Sequence, residues 1–353
     1  MSDAPHPVES LTPDVVMDAL ASVDLWGDGR LQALSSYENR VYQVQLDNGP
    51  AVVAKFYRPE RWTSAQILEE HTFAQQLIEA EVTVVGPMHL ALAAPKAQSS
   101  PSTLNYFGGF AFSVSPWRGG RPPELDQPEV LEWIGRFLAR IHEVGEQQPF
   151  SHRPSLNVET FALASRDVLL AQELIPLDVQ AQWERAFQEA LNVLSSFKDL
   201  KTPGHAGPDD DPIAFIRVHG DCHAGNILWT PTDVPMAQGP GPHFVDLDDA
   251  RMAPAVQDLW MLLSGDRAQR TFQMSCLLDG YEQFRRFDRR ELALVEPLRT
   301  LRLIHYSAWL AQRWSDPTFP INFPWFGSSD YWKGQIQMLQ DQCEAMQDPA
   351  LMV

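Results

Sequence analysis

Alternation of apolar and polar side chains is the first clear signal in the chain. In VYQVQLDNGPAVVAKF (41–56), Val41, Gln43 and Gln45 alternate with Tyr42, Val44 and Leu46, which predicts a strand. Asp47-Asn48-Gly49 supplies hairpin turn chemistry, and Val52–Phe56 predicts a buried strand interrupted by one lysine, Lys55. The period then changes to helical. Thr63 is placed as an N-cap with Gln66 three residues on, and Trp62 and Ile67 as a hydrophobic staple. At about 100° per residue, Glu70 falls on the inward face with Phe73, Ala74 and Leu77, while Glu69 sits at its edge. A carboxylate among apolar neighbours is costly unless paired, and Lys55 is the obvious partner.

Further along, PKAQSSPST (95–103) predicts a polar loop, and Phe110–Val114 a short strand running into Ser115-Pro116-Trp117-Arg118-Gly119-Gly120, a hinge. In EVLEWIGRFLARIH, Val130, Ile134, Phe137, Leu138 and Ile141 recur at three and four, an amphipathic helix. GHAGPDDDP (204–212) predicts a solvated linker. Ile213–Val218 and His243–Leu247 predict short strands bracketing VHGDCHAGNILW (218–229), with the Pro/Gly-rich TPTDVPMAQGPGP between them. From Ala255 onward the pattern is mostly helical, and the dense aromatics of Tyr306–Trp332 read chiefly as core. There is no internal repeat. A strand-rich part therefore meets a helix-rich part near residue 115, an α+β chain.

Composition narrows the function classes. The 353 residues carry 46 acidic against 27 basic side chains, a formal charge of −19. That excludes a broad nucleic-acid or anionic-membrane footprint, which needs clustered Lys and Arg. The one basic cluster, Arg285, Arg286, Arg289 and Arg290, is interspersed with Glu282, Asp288 and Glu291 and predicts a solvated helix face. Cys222, Cys276 and Cys343 are odd in number and widely spaced, which predicts free thiols in a reducing compartment. MSDAPHPVES has neither the basic nor the apolar region of a secretory signal, and no stretch approaches the roughly twenty apolar residues of a membrane span. The expectation is a cytoplasmic, enzyme-sized protein.

The polar burst within VHGDCHAGNILW holds the candidate chemistry. His219, Cys222 and His223 are zinc-ligand types, but no second Cys/His pair completes a site. A nucleophilic role for Cys222 is opposed by Asp221 beside it. A third reading joins Asp221 and Asn226 to FVDLDD (244–249). One carboxylate orients a hydroxyl and accepts its proton, while an amide and a second carboxylate offer the hard oxygen ligands that Mg²⁺ prefers. Asp-x₄-Asn, then an Asp closing a later apolar strand, is how kinases assemble base and metal ligands. Lys55 and Glu70 supply the remaining pair. Asp248 and Asp249 compete with Asp246 as metal ligands.

Through VHGDCHAGNILW, FVDLDDA and IGRFLARIH the chain resembles the aminoglycoside-phosphotransferase-like branch of the kinase superfamily. Through SYENRVYQVQ, KFYRPERWTSAQILEEH, FVDLDDARMAPAVQDLWMLL and AWLAQRWSDPTFPINFPW it resembles, over nearly its whole length, bacterial serine/threonine protein kinases of that branch. It departs from typical protein kinases in having His219-Gly220-Asp221 without Arg, no Asp-Phe-Gly, no Ala-Pro-Glu, and a phosphate loop, Ser35–Arg40, without glycine. The resemblance implies a bilobal protein-kinase-like α+β fold. Its small antiparallel-sheet N-lobe with one helix (1–114) would bind ATP; a larger, mostly helical lobe (115–353) would follow a hinge at about 113–117, with ATP between the two. It implies transfer of the γ-phosphoryl group to Ser/Thr hydroxyls of proteins, including the enzyme itself, by a monomer acting in a stress response. Asp221 would be the base, and Asn226 and Asp246 would hold Mg²⁺. Lys55, fixed by Glu70, would grip the α/β phosphates, with Ser36 near ATP. Asp258 resembles the buried Asp that braces the catalytic loop, and His219 packs behind it. Two other functions remain compatible: a kinase of aminoglycoside-, choline- or sugar-like alcohols, whose cationic members suit an acidic surface, and a nucleotide-binding pseudokinase regulator.

Overall fold

The structure, a computed structural model, describes residues 10–93, 100–201, 211–231 and 239–353. Parts of three expected loops (95–99, 204–210 and 232–238) and the first nine residues lie outside the described residues. The chain packs into two units, Met1–Pro123 with Ala224–Asp249, and Glu124–His223 with Ala250–Val353.

The first unit is built on a five-stranded antiparallel sheet. Its elements are α1 (Pro13–Ala21), β1 (Gly27–Ala33), β2 (Arg40–Leu46), β3 (Val52–Phe56), α2 (Ser64–Glu79), β4 (Asn105–Phe107) and β5 (Phe110–Pro116), with strand order β1-β2-β3-β5-β4. Val44 faces Val52 across the β2–β3 hairpin, closing the turn predicted at Asp47-Asn48-Gly49. The period-two pattern sends Val52, Ala54 and Phe56 into a core shared with Phe112, Val114 and the α1 residues Val16, Ala19 and Leu20. Lys55 projects from the opposite face of this central strand, so it is not an edge-strand lysine. Thr63 and Gln66 form a capping box at the start of α2, and Trp62 packs beside Ile67.

A second hairpin, β7 (Ile227–Thr230) with β8 (Gly241–Phe244), belongs to the same unit. Phe244 ties it in, accepting from the Val85 N–H at 2.9 Å and donating to the Thr83 carbonyl at 2.8 Å. Arg121 and Trp229 exchange backbone hydrogen bonds at 3.1 and 2.7 Å, which keeps the chain in this unit past residue 117. Packing thus divides after Pro123. The expected boundary after residue 114 is a proposal about where a functional hinge lies.

The second unit is mostly helical. It comprises α3 (Pro128–Gly145), α4 (Ala164–Ala171), α5 (Leu177–Leu194), the strand pair β6 (Ile216–Val218) with β9 (Arg251–Ala253), α6 (Val256–Trp260), α7 (Arg267–Tyr281), α8 (Val295–Gln312), α9 (Thr318–Asn322) and α10 (Ser329–Ala345). Where α3 crosses α7 only glycine fits: a Cβ on Gly135 would lie 2.0 Å from the Leu277 carbonyl oxygen, and one on Gly280 1.9 Å from that of Glu132. In the aromatic segment, Phe319, Phe323, Phe326 and Trp332 are buried while Tyr306 and Trp325 reach solvent. That segment is core for the most part.

Four expectations change in detail. The strand predicted over 213–218 begins only at Ile216, because the Ile213 N–H is taken by the Asp199 carboxylate at 2.9 Å. The strand predicted over 243–247 stops at Phe244, because Asp246 turns into the left-handed region (φ 59). The basic cluster is not one helix face. Arg285 and Arg286 follow the end of α7, and Arg289 and Arg290 open a 3₁₀ turn, with ion pairs from Arg285 to Glu146 and from Arg290 to Asp288. The first unit also carries two helices, since α1 precedes the sheet. Among the described residues, no helix is long and apolar enough to cross a membrane.

Candidate active site

In the first unit, Lys55 meets two carboxylates. Its Nζ lies 3.0 Å from Asp246 Oδ1 and 3.2 Å from Asp248 Oδ1, with its side chain only 16% exposed. Burial alone would depress its pKa, but the charges of Asp246, Asp248 and Glu70, with Tyr57 after them, outweigh it, and the ammonium is held well above its ordinary value. Glu70 is buried, as its helical facing predicts, and its charge adds to that of the two aspartates in favouring the Lys55 ammonium.

Asp246 and Asp248 are two residues apart yet differ sharply. The left-handed turn at Asp246 leaves its carboxylate 51% exposed beside Lys55. Asp248 is buried, bonded to the Arg61 guanidinium, and accepts from Asn39 Nδ2 at 3.2 Å. Arg61 also reaches Asp249 at 2.9 Å and Glu38 at 3.6 Å. Arg58 pairs with Glu38 at 3.2 Å and donates its backbone N–H to Asn39 Oδ1 at 3.1 Å. The glycine-free 35–40 loop, which carries the half-buried Ser36, is therefore pinned by side chains. Asn39, Arg58 and Arg61 were not picked out from the sequence. The only signal was two arginines, four residues apart counting both ends, after the lysine strand of an acidic chain.

Asn226 ends the turn before β7, and its carbonyl accepts from Val245 N–H at 3.0 Å, next to Asp246. An amide and a half-exposed carboxylate are hard oxygen donors. Among the described residues no three His, Cys, Asp or Glu side chains cluster as a metal cage. That donor set fits Mg²⁺, which takes one or two protein oxygens and completes its shell with water and phosphate.

In the second unit the stretch after β6 is held by its backbone. Asp258, fully buried on α6, accepts the N–H groups of His219 and Gly220, both at 2.8 Å, and a 3.0 Å bond from His142 Nε2. Tyr281 closes the chain on His142 Nδ1 at 2.8 Å, and Gln257 donates to the Gly220 carbonyl at 3.0 Å. Burial pushes the Asp258 pKa up, but the His142 bond, the two histidines and the Gly220 N–H hold it below the carboxylate norm. Asp221, just beyond, keeps a partly exposed carboxylate 2.7 Å from Arg302 and 3.6 Å from His223. Cys222 is buried, and burial, then Asp258 and Asp221, push its thiol well up, so it is no nucleophile.

The brace has its own titratable support. Glu291 accepts the Val256 N–H at 2.7 Å where α6 begins, and burial raises its pKa to about 7. Between the ordinary 4.5 and about 7 the folded chain holds a proton the unfolded chain has lost, so stability falls as pH rises through that window. Glu291→Gln keeps an acceptor for Val256 and has no charge to bury. It should be more stable than the wild type at pH 8 by about 2–3 kcal/mol, with a correspondingly higher melting temperature, and match it near pH 4.5. Parallel melting curves across pH 4.5–8 would refute the assignment.

Residues 30–295 match the phosphotransferase enzyme family. The chain is 43% identical over 351 residues to stress response kinase A of Escherichia coli strain K12, covering 99% of this chain and 98% of the relative. It is 40% identical, with the same coverage, to a protein of Salmonella typhimurium named serine/threonine protein kinase RdoA. Among solved structures, amicoumacin kinase hAmiN (TM-score 0.67, 19% identity, 96% of each chain) and a microcompartment-associated aminopropanol kinase (TM-score 0.64, 16% identity, 95% of this chain and 98% of that one) share the fold. With three quarters of its length matched by the family and its nearly full-length relatives named as kinases, the chain belongs to the phosphotransferase enzyme family.

Proposed function

We propose that this kinase transfers the γ-phosphoryl group of MgATP to Ser/Thr hydroxyls of proteins, its own included, within a stress response. The observation that carries the protein acceptor is full-length similarity: the relative named a serine/threonine protein kinase aligns over 99% of the chain. The same relationship, through the name of the 43% identical relative, supports the stress role. The reading includes action as a monomer in the cytoplasm.

The residues divide the work. Residues 1–114, joined by the β7–β8 hairpin, form the ATP-binding part. Lys55, kept charged by its carboxylates, attracts and orients the α/β phosphates, and Glu70 helps hold it in place. Ser36, on the pinned loop, lies near the nucleotide. Asn226 and Asp246 would hold Mg²⁺, which when bound neutralises charge on the phosphates. Asp221 orients the acceptor hydroxyl and accepts its proton as the new O–P bond forms. The bond from Pγ to the β–γ bridging oxygen breaks, and ADP leaves with that oxygen.

Incubating the purified chain with γ-labelled ATP, with and without Mg²⁺, tests the reading. Added Ser/Thr proteins and a panel of small alcohols serve as acceptors. Label is expected on added protein and on the chain itself, only with the metal present. Label confined to small alcohols would assign the enzyme to that substrate class. ATP binding without turnover would make it a nucleotide-binding regulator.

A further inference from the structure

Asp221 does not stand alone at the end of its braced loop. Arg302, on α8, brings Nη1 to 2.7 Å from Asp221 Oδ1, and the pair is partly open to solvent, at 42% and 21% side-chain exposure. Arg299, one turn earlier, is engaged elsewhere: it lies over the Trp260 ring at 5.5 Å and 3.6 Å from Glu296, which also pairs with Arg270 at 2.7 Å. On this stretch of α8, Arg302 is the cation turned to the loop. His223 adds a second nitrogen 3.6 Å from the other Asp221 oxygen. In a chain of net charge −19, this carboxylate thus has a guanidinium at contact distance.

We propose that Arg302 sets the charge preference of the acceptor, favouring hydroxyls flanked by an acidic group and disfavouring cationic ones. The proposal rests on the assignment of Asp221 as the base. A hydroxyl approaching Asp221 competes with the guanidinium for the same oxygens. A displaced guanidinium is most stable on another planar anion, and the fork geometry of arginine matches a carboxylate or phosphate beside the acceptor hydroxyl. An ammonium brought to the same place meets a like charge. The acidic surface as a whole would draw cationic acceptors, whereas this site turns them away at the reacting carboxylate. Arg302 is thus a specificity residue whose effect depends on what the acceptor carries.

The test uses three peptides identical except for Glu, Gln or Lys next to the acceptor serine, and two small alcohols, an uncharged polyol and a quaternary-ammonium alcohol. Transfer is measured for the wild type, Arg302→Gln, Arg302→Glu and Arg302→Lys. The wild-type kcat/KM should fall in the order Glu, Gln, Lys, spanning about tenfold, mostly through KM, and the span should shrink with added salt. Arg302→Gln should flatten the order, Arg302→Glu invert it, and Arg302→Lys largely keep it. An order that survives both Gln and Glu unchanged overturns the proposal. So does a uniform fall in kcat across all peptides, which would place Arg302 in the transfer step itself. If no peptide is labelled, the protein-acceptor reading fails while this one is still decided on the alcohols. A relative gain of the cationic alcohol in Arg302→Glu supports it, and an unchanged ratio sinks it. No transfer to either panel overturns both.

Discussion

Asp221→Asn is expected to slow phosphoryl transfer by a factor on the order of 10²–10⁴ while leaving the fold and the affinity for the Mg-nucleotide intact. The amide has the size of the carboxylate but cannot accept the hydroxyl proton at neutral pH. The loop geometry should not move, because it is fixed through the backbone: Asp258 holds the His219 and Gly220 N–H groups and Gln257 the Gly220 carbonyl. The substitution weakens the contact with Arg302, but both partners of that pair reach solvent and such pairs contribute about 0–1 kcal/mol. Nucleotide binding should persist, since the proposed metal ligands are Asn226 and Asp246. Steady-state rates beside titration of a fluorescent ATP analogue separate these effects. Near-normal turnover in Asp221→Asn would remove the residue from the chemistry.

The structure shows which parts of this arrangement a sequence can carry. Local periodicity placed Lys55 on a buried strand and turned Glu70 inward, because two- and 3.6-residue repeats fix which face a side chain takes. The amphipathic α3 was legible for the same reason, and the cap at Thr63 and the turn at Asp47-Asn48-Gly49 from the local chemistry of cap and turn residues. The bracing role of Asp258 came with the resemblance and is borne out by its two backbone bonds to the loop. Contacts that close only with the whole chain were not legible. Arg61 meets Asp248 across 187 residues, Asn39 meets it across 209, and Arg302 meets Asp221 from a helix in a different part of the chain. Nothing in the local pattern of an arginine says which carboxylate it will find. Nor did β1 announce itself: its glycines and largely exposed side chains give no alternation to read.

Asp246 and Asp248 allow the sharpest separation of function from folding, because they are near neighbours with opposite surroundings. Asp246→Asn removes charge from a half-exposed carboxylate whose partner, Lys55, retains Asp248 at 3.2 Å and the field of Glu70. The fold should therefore survive, and the Mg²⁺-dependent part of nucleotide affinity should fall by at least about 10–100-fold, taking activity with it. Asp248→Asn strikes a buried carboxylate that serves Arg61, Asn39 and Lys55 at once. It leaves the Arg61 guanidinium, with only 10% of its side chain exposed, short of its most buried partner, and should cost about 3 kcal/mol of stability. The pinning of the 35–40 loop should loosen with it. Melting curves and ATP-analogue titrations with and without Mg²⁺, run on both variants, give each a distinct signature. Metal-dependent affinity lost in Asp248→Asn at full stability, and kept in Asp246→Asn, would exchange the roles of the two aspartates.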